Sequence, residues 1–565
     1  MLVTVYGAKC LGIEAVRVAV EVDIQNGIGI HLVGLADTAV KESLLRTVNA
    51  LQTHGFRIPG KKIVINLAPA DQQKKGSGYD LPIALGIIAA SGQASMPMLD
   101  KYLIMGELGL DGSVRDIRGA LAFAEAARDC GLRGCILPWH SAKEAASIDG
   151  IDVYGVRSIS DAIAVLSSQD NRHENLLIAP TPPTAIQTIT INTHISTEHI
   201  HASTLDAHTN AKETHTSNSD AISSTEPHAS TSETHIRQHC HDYMDMSEII
   251  GQDSAKRGIE IAAAGGHNVL MIGSPGSGKS SLAKAMAGIL PPLTTAESLT
   301  TTKIYSVAGR TDAAGGLITQ RPVRSPHYSI SLAAMIGGGS GEMLLPGEVS
   351  LAHSGILFID EFNQMPKSII EALRGPLEDR TVTLSRLKSK VTYPASFMLV
   401  AATNPCPCGY LGEKDRCTCT PGQRNSYLSR LSGPILDRID IQLWLHPVDP
   451  LLLIRKQRCQ AESSATIAAR VIAARGIQEQ RFKHETISTN AEMNSRMIDI
   501  YCPLDRECRE ALERLMTRMG FSARAYTRII KLARTIADLE GAADIRSQDL
   551  AEAASYRILD KPSDI

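Results

Sequence analysis

Nowhere in this 565-residue chain do about eighteen apolar residues follow one another, so no membrane-spanning helix is expected. The opening residues, Met1 to Gly7, lack a basic n-region and a long apolar h-region, so no secretory signal is expected either. Charge of one sign is scarce too, the formal net charge being −3. Any nucleic-acid surface must therefore be local, such as a ring pore or one basic strip. A disulfide framework is missing. The cysteines number eleven, an odd count, and outside positions 406 to 419 they stand singly, which suits a reducing compartment. Together these absences point to a cytoplasmic protein. Apolar residues make up 43% of a chain long enough for several cores.

What is present centres on one loop. Gly273, Ser274, Pro275, Gly276, Ser277, Gly278, Lys279 and Ser280 fit the pattern G-x-x-x-x-G-K-[ST] at every fixed position. Asn268 to Ile272 before it is apolar enough for a buried strand, and the run from Ser281 reads as a helix. Strand, glycine loop and helix are the context that makes this pattern a phosphate site. Backbone N–H groups turn toward phosphate oxygens, and the helix N-terminus adds partial positive charge. Lys279 is expected to reach the β/γ-phosphates, and Ser280 to hold Mg²⁺. Ser281, at the head of the helix, is grouped with these ATP contacts. Gly355 to Ile359 is a short apolar run ending in Asp360 and Glu361. Asp360 would hold the Mg²⁺, and Glu361 would polarise the attacking water.

Residues 1–168 read as one α/β unit. Alternation predicts strands over 15–24 and 31–35, and another over 62–67. Helices are predicted over 38–54, 80–90, 121–130 and 141–146, a hairpin over 106–114 and a strand over 134–138. Residues 169–242 differ in composition, with ten of the chain's 18 histidines falling within 170–241 among Thr, Ser, Ala, Asn and Glu. Such a segment buries too little apolar surface to offset its ordering entropy, and the reading is a disordered linker. Residues 243–448 hold the phosphate loop, and residues 449–565 read as helical, with clear examples at 467–480 and 506–519.

Three further features lie between 320 and 420. Gln320 to Ser329 and the glycine run from Gly337 make a long connection ahead of Asp360. Arg380 to Arg386 and Val391 to Tyr393 read as two strands joined by a basic turn, with Arg386, Lys388 and Lys390 as candidate phosphate contacts. Cys406, Cys408, Cys417 and Cys419 fall within fourteen residues. Four cysteines so close in a cytosolic chain suggest a tetrahedral thiolate zinc site.

The stretch from Met246 onward resembles the ComM and magnesium-chelatase-like family of AAA+ ATPases. The matching residues are Ile249-Ile-Gly-Gln252, the phosphate loop, Asp360-Glu361, Phe397 to Asn404, Leu428 to Asp440 and Phe521 to Arg528. That resemblance implies an AAA+ α/β P-loop domain with a helical C-terminal lid. It implies that Asn404 orients the lytic water, that Arg438 is an arginine finger completing a neighbour's site, and that Arg524 contacts the γ-phosphate. Arg430 is the second choice for the finger, and Arg528 reads as a salt-bridge partner. An insertion after residue 320 and the basic hairpin would line the pore of a ring, hexameric by analogy. The first 168 residues resemble the proteolytic domain of Lon, of S5-like fold, through Lys75 to Ala84, Gly106 to Leu121 and Ile136 to Pro138. Gly78 stands where Lon's serine belongs and Leu121 where its lysine belongs, so no protease chemistry is expected. The function implied is ATP-driven branch migration on single-stranded or branched DNA during natural transformation. A magnesium-chelatase motor and a Lon-like unfoldase-protease are the alternatives.

Overall fold

The computed structural model describes residues 1–565 other than 36, 71–73, 75, 168–174, 180–242, 312–315, 340–343, 387–388, 414–415, 449–460, 558 and 560–565. The His/Thr-rich stretch read as a linker thus lies almost entirely outside the described residues. The chain is mixed α/β with two main sheets and a helical C-terminal region.

The first sheet has seven strands. In spatial order they are Gly29–Val33, Lys62–Ala68, Glu14–Gln25, Leu2–Leu11, Tyr102–Ile104, Gly134–Pro138 and Asp152–Val156. Leu2–Leu11 and Glu14–Gln25 form a long antiparallel hairpin, register Leu2 to Asp23 through Leu11 to Glu14. Alternation along Glu14–Gln25 buries Val18, Val20 and Val22 on one face. The helix Asp80–Ala90 is apolar on all sides and nearly every residue of it is buried, as expected of a helix inside a core.

The second sheet is parallel throughout. Its order is Val323–Arg324, Ile356–Ile359, Met398–Thr403, Val269–Gly273 and Ile441–Leu445. Parallel sheets are covered on both faces, and the three central strands accordingly read as nearly continuous apolar runs. The pleat sorts them. Val269, Met271, Ile356, Phe358, Val400 and Ala402 join one core. Leu270, Ile272, Leu357, Ile359, Leu399 and Ala401 join the core on the opposite face. The C-terminal helices share the first of these cores, through Ile467, Val471, Ile529, Ile530 and Ile536. Their boundaries are capped. Ser463, Asp505 and Ser522 each accept a backbone N–H at a helix start, and Gly520 closes Arg506–Met519 in the left-handed conformation.

A buried network ties the sheet to these helices. Asp440 accepts from Arg528 at 2.6 Å and from the Asn268 amide at 3.1 Å, with His267 Nδ1 3.4 Å away. Burial alone would raise this carboxyl, but Arg528 and His267 outweigh it and hold it well below the usual range. Arg528 is the salt-bridge partner expected from sequence.

By contact, Met1–Thr184 and Tyr243–Ile565 form one compact unit. Leu299 and Leu317 pack against the first core, Lys303 pairs with Glu125, and the Gly119 amide donates to the Ser306 carbonyl at 3.3 Å.

The first seven residues, read only for the absence of a signal, begin the strand Leu2–Leu11. Residues 367–379 form two helices, Lys367–Ala372 and Arg374–Asp379. Pro376 has no N–H to return to Ala372, so the ladder breaks there.

Candidate nucleotide site

The phosphate loop sits where the sheet delivers it. The strand Val269–Gly273 ends at the loop, and the helix Lys279–Ala287 starts as it closes. Gly276 and Gly278 have φ of +80° and +92°, values at which a side chain is strained. Lys279 is folded back onto the loop. Its Nζ donates to the Gly273 carbonyl at 2.7 Å, the Ser274 carbonyl at 2.9 Å and Asn404 Oδ1 at 3.3 Å. Burial lowers its pKa, while Asp360 and Glu361 pull the other way.

The acid pair meets the loop as expected. Ser280 Oγ donates to Asp360 Oδ2 at 2.9 Å, and the Glu361 amide donates to Asp360 Oδ1 at 2.9 Å. Glu361 has φ of +51°, an uncommon conformation for a non-glycine residue and one that clusters at functional sites. Pro275, Lys279, Ser280, Ser281, Asp360, Glu361 and Asn404 line one open cavity of about 670 Å³. Gln252, at the entry to the domain, donates to the Ser277 carbonyl at 3.2 Å and to the His446 carbonyl at 2.6 Å, behind the loop.

Sequence reasoning missed part of this cavity. Ser325, Pro326, His327 and Tyr328 also line it. They leave the edge strand Val323–Arg324, which pairs with Ile356–Leu357 just before the acid pair. The motif had been read only as part of a long connection. The available signal was a strand-length stub at Val323 beside Pro322, and it is too short to show periodicity.

The two remaining arginines are placed elsewhere. Arg438 donates to Glu378 and, at 2.7 Å, to the Pro434 carbonyl. Arg524 donates to Asp437 at 2.7 Å. Both line a separate small cavity of about 170 Å³ together with Arg528 and Lys531. Neither lines the cavity of its own chain's phosphate loop.

The four cysteines converge. Their Sγ atoms all lie within 4.8 Å of one another, with Cys406 to Cys417 at 3.8 Å, Cys408 to Cys417 at 3.7 Å and Cys406 to Cys408 at 3.3 Å. A tetrahedral ion about 2.3 Å from each sulfur requires edges of about 3.8 Å, so the set fits a four-thiolate site. The Tyr410 amide, donating to Cys408, pulls that thiol down, while burial pushes the neighbouring Cys406 thiol up. Arg424 Nη2 lies 3.5 Å from Cys417 Sγ. This knuckle abuts the phosphate loop. Gly409 has φ of +87°, and a Cβ there would fall 2.9 Å from Pro275 Cδ.

The basic hairpin forms as Thr381–Arg386 against Ser389–Pro394, with Arg386 opposite Ser389 and Ser385 opposite Lys390. Arg386 and Lys390 are exposed. Lys388, at the turn, lies outside the described residues. In the connection ahead of the acid pair, a short helix Leu332–Ile336 leads to Gly337–Gly338, paired with Leu345–Pro346. No helix among the described residues is long and apolar enough to cross a membrane.

A five-stranded parallel sheet with the phosphate loop after its fourth-placed strand, an acid pair at the end of the strand two places away and helices at the C-terminus is the arrangement of AAA+ ATPases of the magnesium-chelatase type. The family described as magnesium chelatase, subunit ChlI, matches residues 245–451. Subunit ChlI of Mg-chelatase matches residues 20–141, and the ChlI C-terminal family matches residues 461–557. The chain belongs to this ComM and magnesium-chelatase-like family. It is 39% identical over 562 residues to YifB of Salmonella typhimurium, covering 99% of this chain and 98% of that protein. It is 35% identical over 560 residues to the competence protein ComM of Haemophilus influenzae, covering 99% and 98%. The DNA replication licensing factor mcm6 of Dictyostelium discoideum is 22% identical over 271 residues, 45% of this chain and 26% of that protein.

Proposed function

We propose that this chain is an ATP-hydrolysing ring motor that acts on DNA and moves branch points. The observation that carries the motor is the cavity joining Lys279, Ser280, Asp360, Glu361 and Asn404. In this reading Lys279 exchanges its loop carbonyls for β/γ-phosphate oxygens. Ser280 and Asp360, already hydrogen-bonded, would hold Mg²⁺, which would supply charge to offset that of the phosphates. Glu361 takes the proton of the attacking water, and Asn404 orients that water. Arg438 and Arg524, both remote from their own chain's cavity, serve a neighbour's site, which makes the working unit an oligomer, hexameric by family analogy.

DNA is favoured by the near full-length similarity to a competence protein and by the partial similarity to a replication licensing factor. Arg386, Lys388 and Lys390 on the hairpin would meet phosphates in the pore. Because net charge is near zero, binding rests on a few cations per subunit, multiplied around the ring, and should fall steeply with salt. Lys388→Ala with Lys390→Ala is expected to weaken binding across sequences and flatten the salt slope while basal hydrolysis survives. Titrating labelled DNA at several salt concentrations checks this.

The N-terminal residues 1–168 are proposed as a Lon-type, non-catalytic domain, followed by a linker over 169–242, the motor over 243–448 and a lid over 449–565. Ser77 donates to Glu107 rather than to a lysine, Leu121 is fully buried, and a Cβ at Gly78 would meet Met105 at 2.9 Å. Gly78 and Leu121 thus supply neither a serine hydroxyl nor a lysine amine at these positions, against the protease alternative. The chelatase-motor alternative is favoured by the family description, which also covers residues 20–141. An N-terminal domain thus does not separate the two readings. The hydrolysis rate with and without single-stranded and branched DNA does. The DNA motor is stimulated by DNA, and a chelatase motor is indifferent to it.

Zinc is proposed at Cys406, Cys408, Cys417 and Cys419, where it would cross-link the knuckle against the phosphate loop. With four protein ligands no open position remains, so its role is structural. The purified chain is expected to carry about one zinc, and Cys406→Ser with Cys408→Ser to lose it. Equal metal content in the two by elemental analysis refutes the site.

A further inference from the structure

Among the groups lining the nucleotide cavity, one imidazole has no part in the mechanism above. It belongs to His327, which sits in a tight turn, its carbonyl accepting from the Ile330 amide at 3.0 Å. The turn also fixes the ring. Ser329 Oγ lies 2.7 Å from His327 Nδ1, and the Ser329 backbone N–H donates to the same atom at 3.3 Å. A backbone amide can only donate, so Nδ1 must accept, and the proton of the neutral ring sits on Nε2. The Tyr328 ring stacks on it at a tilt of 35°, centroids 4.2 Å apart. His327 thus carries its N–H donor on Nε2, and the residue is part of the cavity wall.

The sheet says which end of the cavity this is. The loop 325–328 leaves the carboxyl end of Val323–Arg324, next to the strand that delivers Asp360 and Glu361. Gln252 and His446 lie across the phosphate loop at the opposite edge, where Ile441–Leu445 ends. The acid pair marks where metal and attacking water are needed, so the loop borders the terminal phosphate and not the base. That end is short of positive charge. Lys279 is the one Lys or Arg among the residues described as lining the cavity, against two carboxylates.

We infer that His327 donates its Nε2 hydrogen to an oxygen of the terminal phosphate of bound ATP, making it a nucleotide-discriminating residue of this motor. The inference rests on the nucleotide site proposed above. A donor aimed at the third phosphate distinguishes ATP from ADP, because ADP offers that position no acceptor. The turn that holds the ring runs into Ser331, the N-cap of the helix Leu332–Ile336. Gain or loss of the terminal phosphate is thereby felt at the start of the connection that leads to the glycine run.

The test is equilibrium binding of Mg-ADP and of an Mg-bound, non-hydrolysable β,γ-imido ATP analogue to the full chain, in wild type, His327→Ala and His327→Gln. A hydrogen bond to a charged acceptor is worth enough for His327→Ala to lower analogue affinity by roughly tenfold or more, with ADP affinity unchanged. His327→Gln, whose amide can still donate, should recover most of the loss. Unchanged analogue affinity in His327→Ala overturns the inference. So does an equal loss for both nucleotides, which would put the ring at the base or the inner phosphates, and so does a failure of glutamine to rescue. If the wild type binds neither nucleotide, the nucleotide site itself is refuted. Binding of both with no effect at His327 refutes this contact alone.

Discussion

Glu361→Gln is expected to bind ATP normally and to turn it over roughly a hundredfold to ten-thousandfold more slowly, the range for a lost general base. Lys279→Ala is expected to fail earlier, at binding. The two differ because of what each side chain touches. Lys279 is the cation that bridges the loop carbonyls at Gly273 and Ser274 to Asn404. Its removal takes the positive charge from the β/γ-phosphate position and leaves two carbonyls without their donor. Among the described residues, the Glu361 side chain makes no hydrogen bond to the phosphate loop. Its amide, which glutamine keeps, donates to Asp360, so the metal ligand stays in place while the base is lost. Nucleotide affinity and steady-state hydrolysis measured on both variants separate the roles. Normal turnover in Glu361→Gln would remove Glu361 from the chemistry.

Arg438→Ala should leave nucleotide affinity nearly intact and reduce hydrolysis by roughly a thousandfold or more, the scale for arginine fingers. The structure gives this a specific form. Within its own chain Arg438 is held by Glu378 and the Pro434 carbonyl, outside the cavity that Lys279 lines. That placement leaves it available to a terminal phosphate on another subunit. Mixing Arg438→Ala with Lys279→Ala subunits should therefore restore some hydrolysis, since some interfaces then join an intact Lys279 to an intact Arg438. Confirmed mixed rings that stay inactive would count against a finger acting between subunits. Arg524, paired with Asp437 beside Arg438, is expected to behave in the same way.

Much of this site was legible because its chemistry is local in sequence. The phosphate loop and the acid pair each occupy a few consecutive residues after an apolar run, and the structure joins them through Ser280 and Asp360. The cysteines were legible from spacing alone, and they converge. What could not be read depends on neighbours distant in sequence. Arg524 was assigned to the γ-phosphate from its motif. Its position beside Arg438 follows from how Ala523–Leu539 packs against the helices Asp253–Gly265, Ser464–Arg481 and Ser547–Ser555, which no local pattern encodes. His327 lies in a loop with no periodicity, and only the pairing of a two-residue strand brings it to the cavity. Leu2–Leu11 escaped notice because Gly7 and Ala8 blur its alternation. Its register is set by the partner Glu14–Gln25.

The central claim is that ATP hydrolysis at this cavity moves DNA branch points. The most direct measurement is a labelled four-way or three-stranded junction incubated with assembled protein and ATP. The account predicts that the wild type resolves the junction by migrating it, and that Lys279→Ala does not. An assembled, ATP-hydrolysing ring that neither binds DNA nor moves the junction would contradict the claim and leave the chelatase-type motor as the better reading.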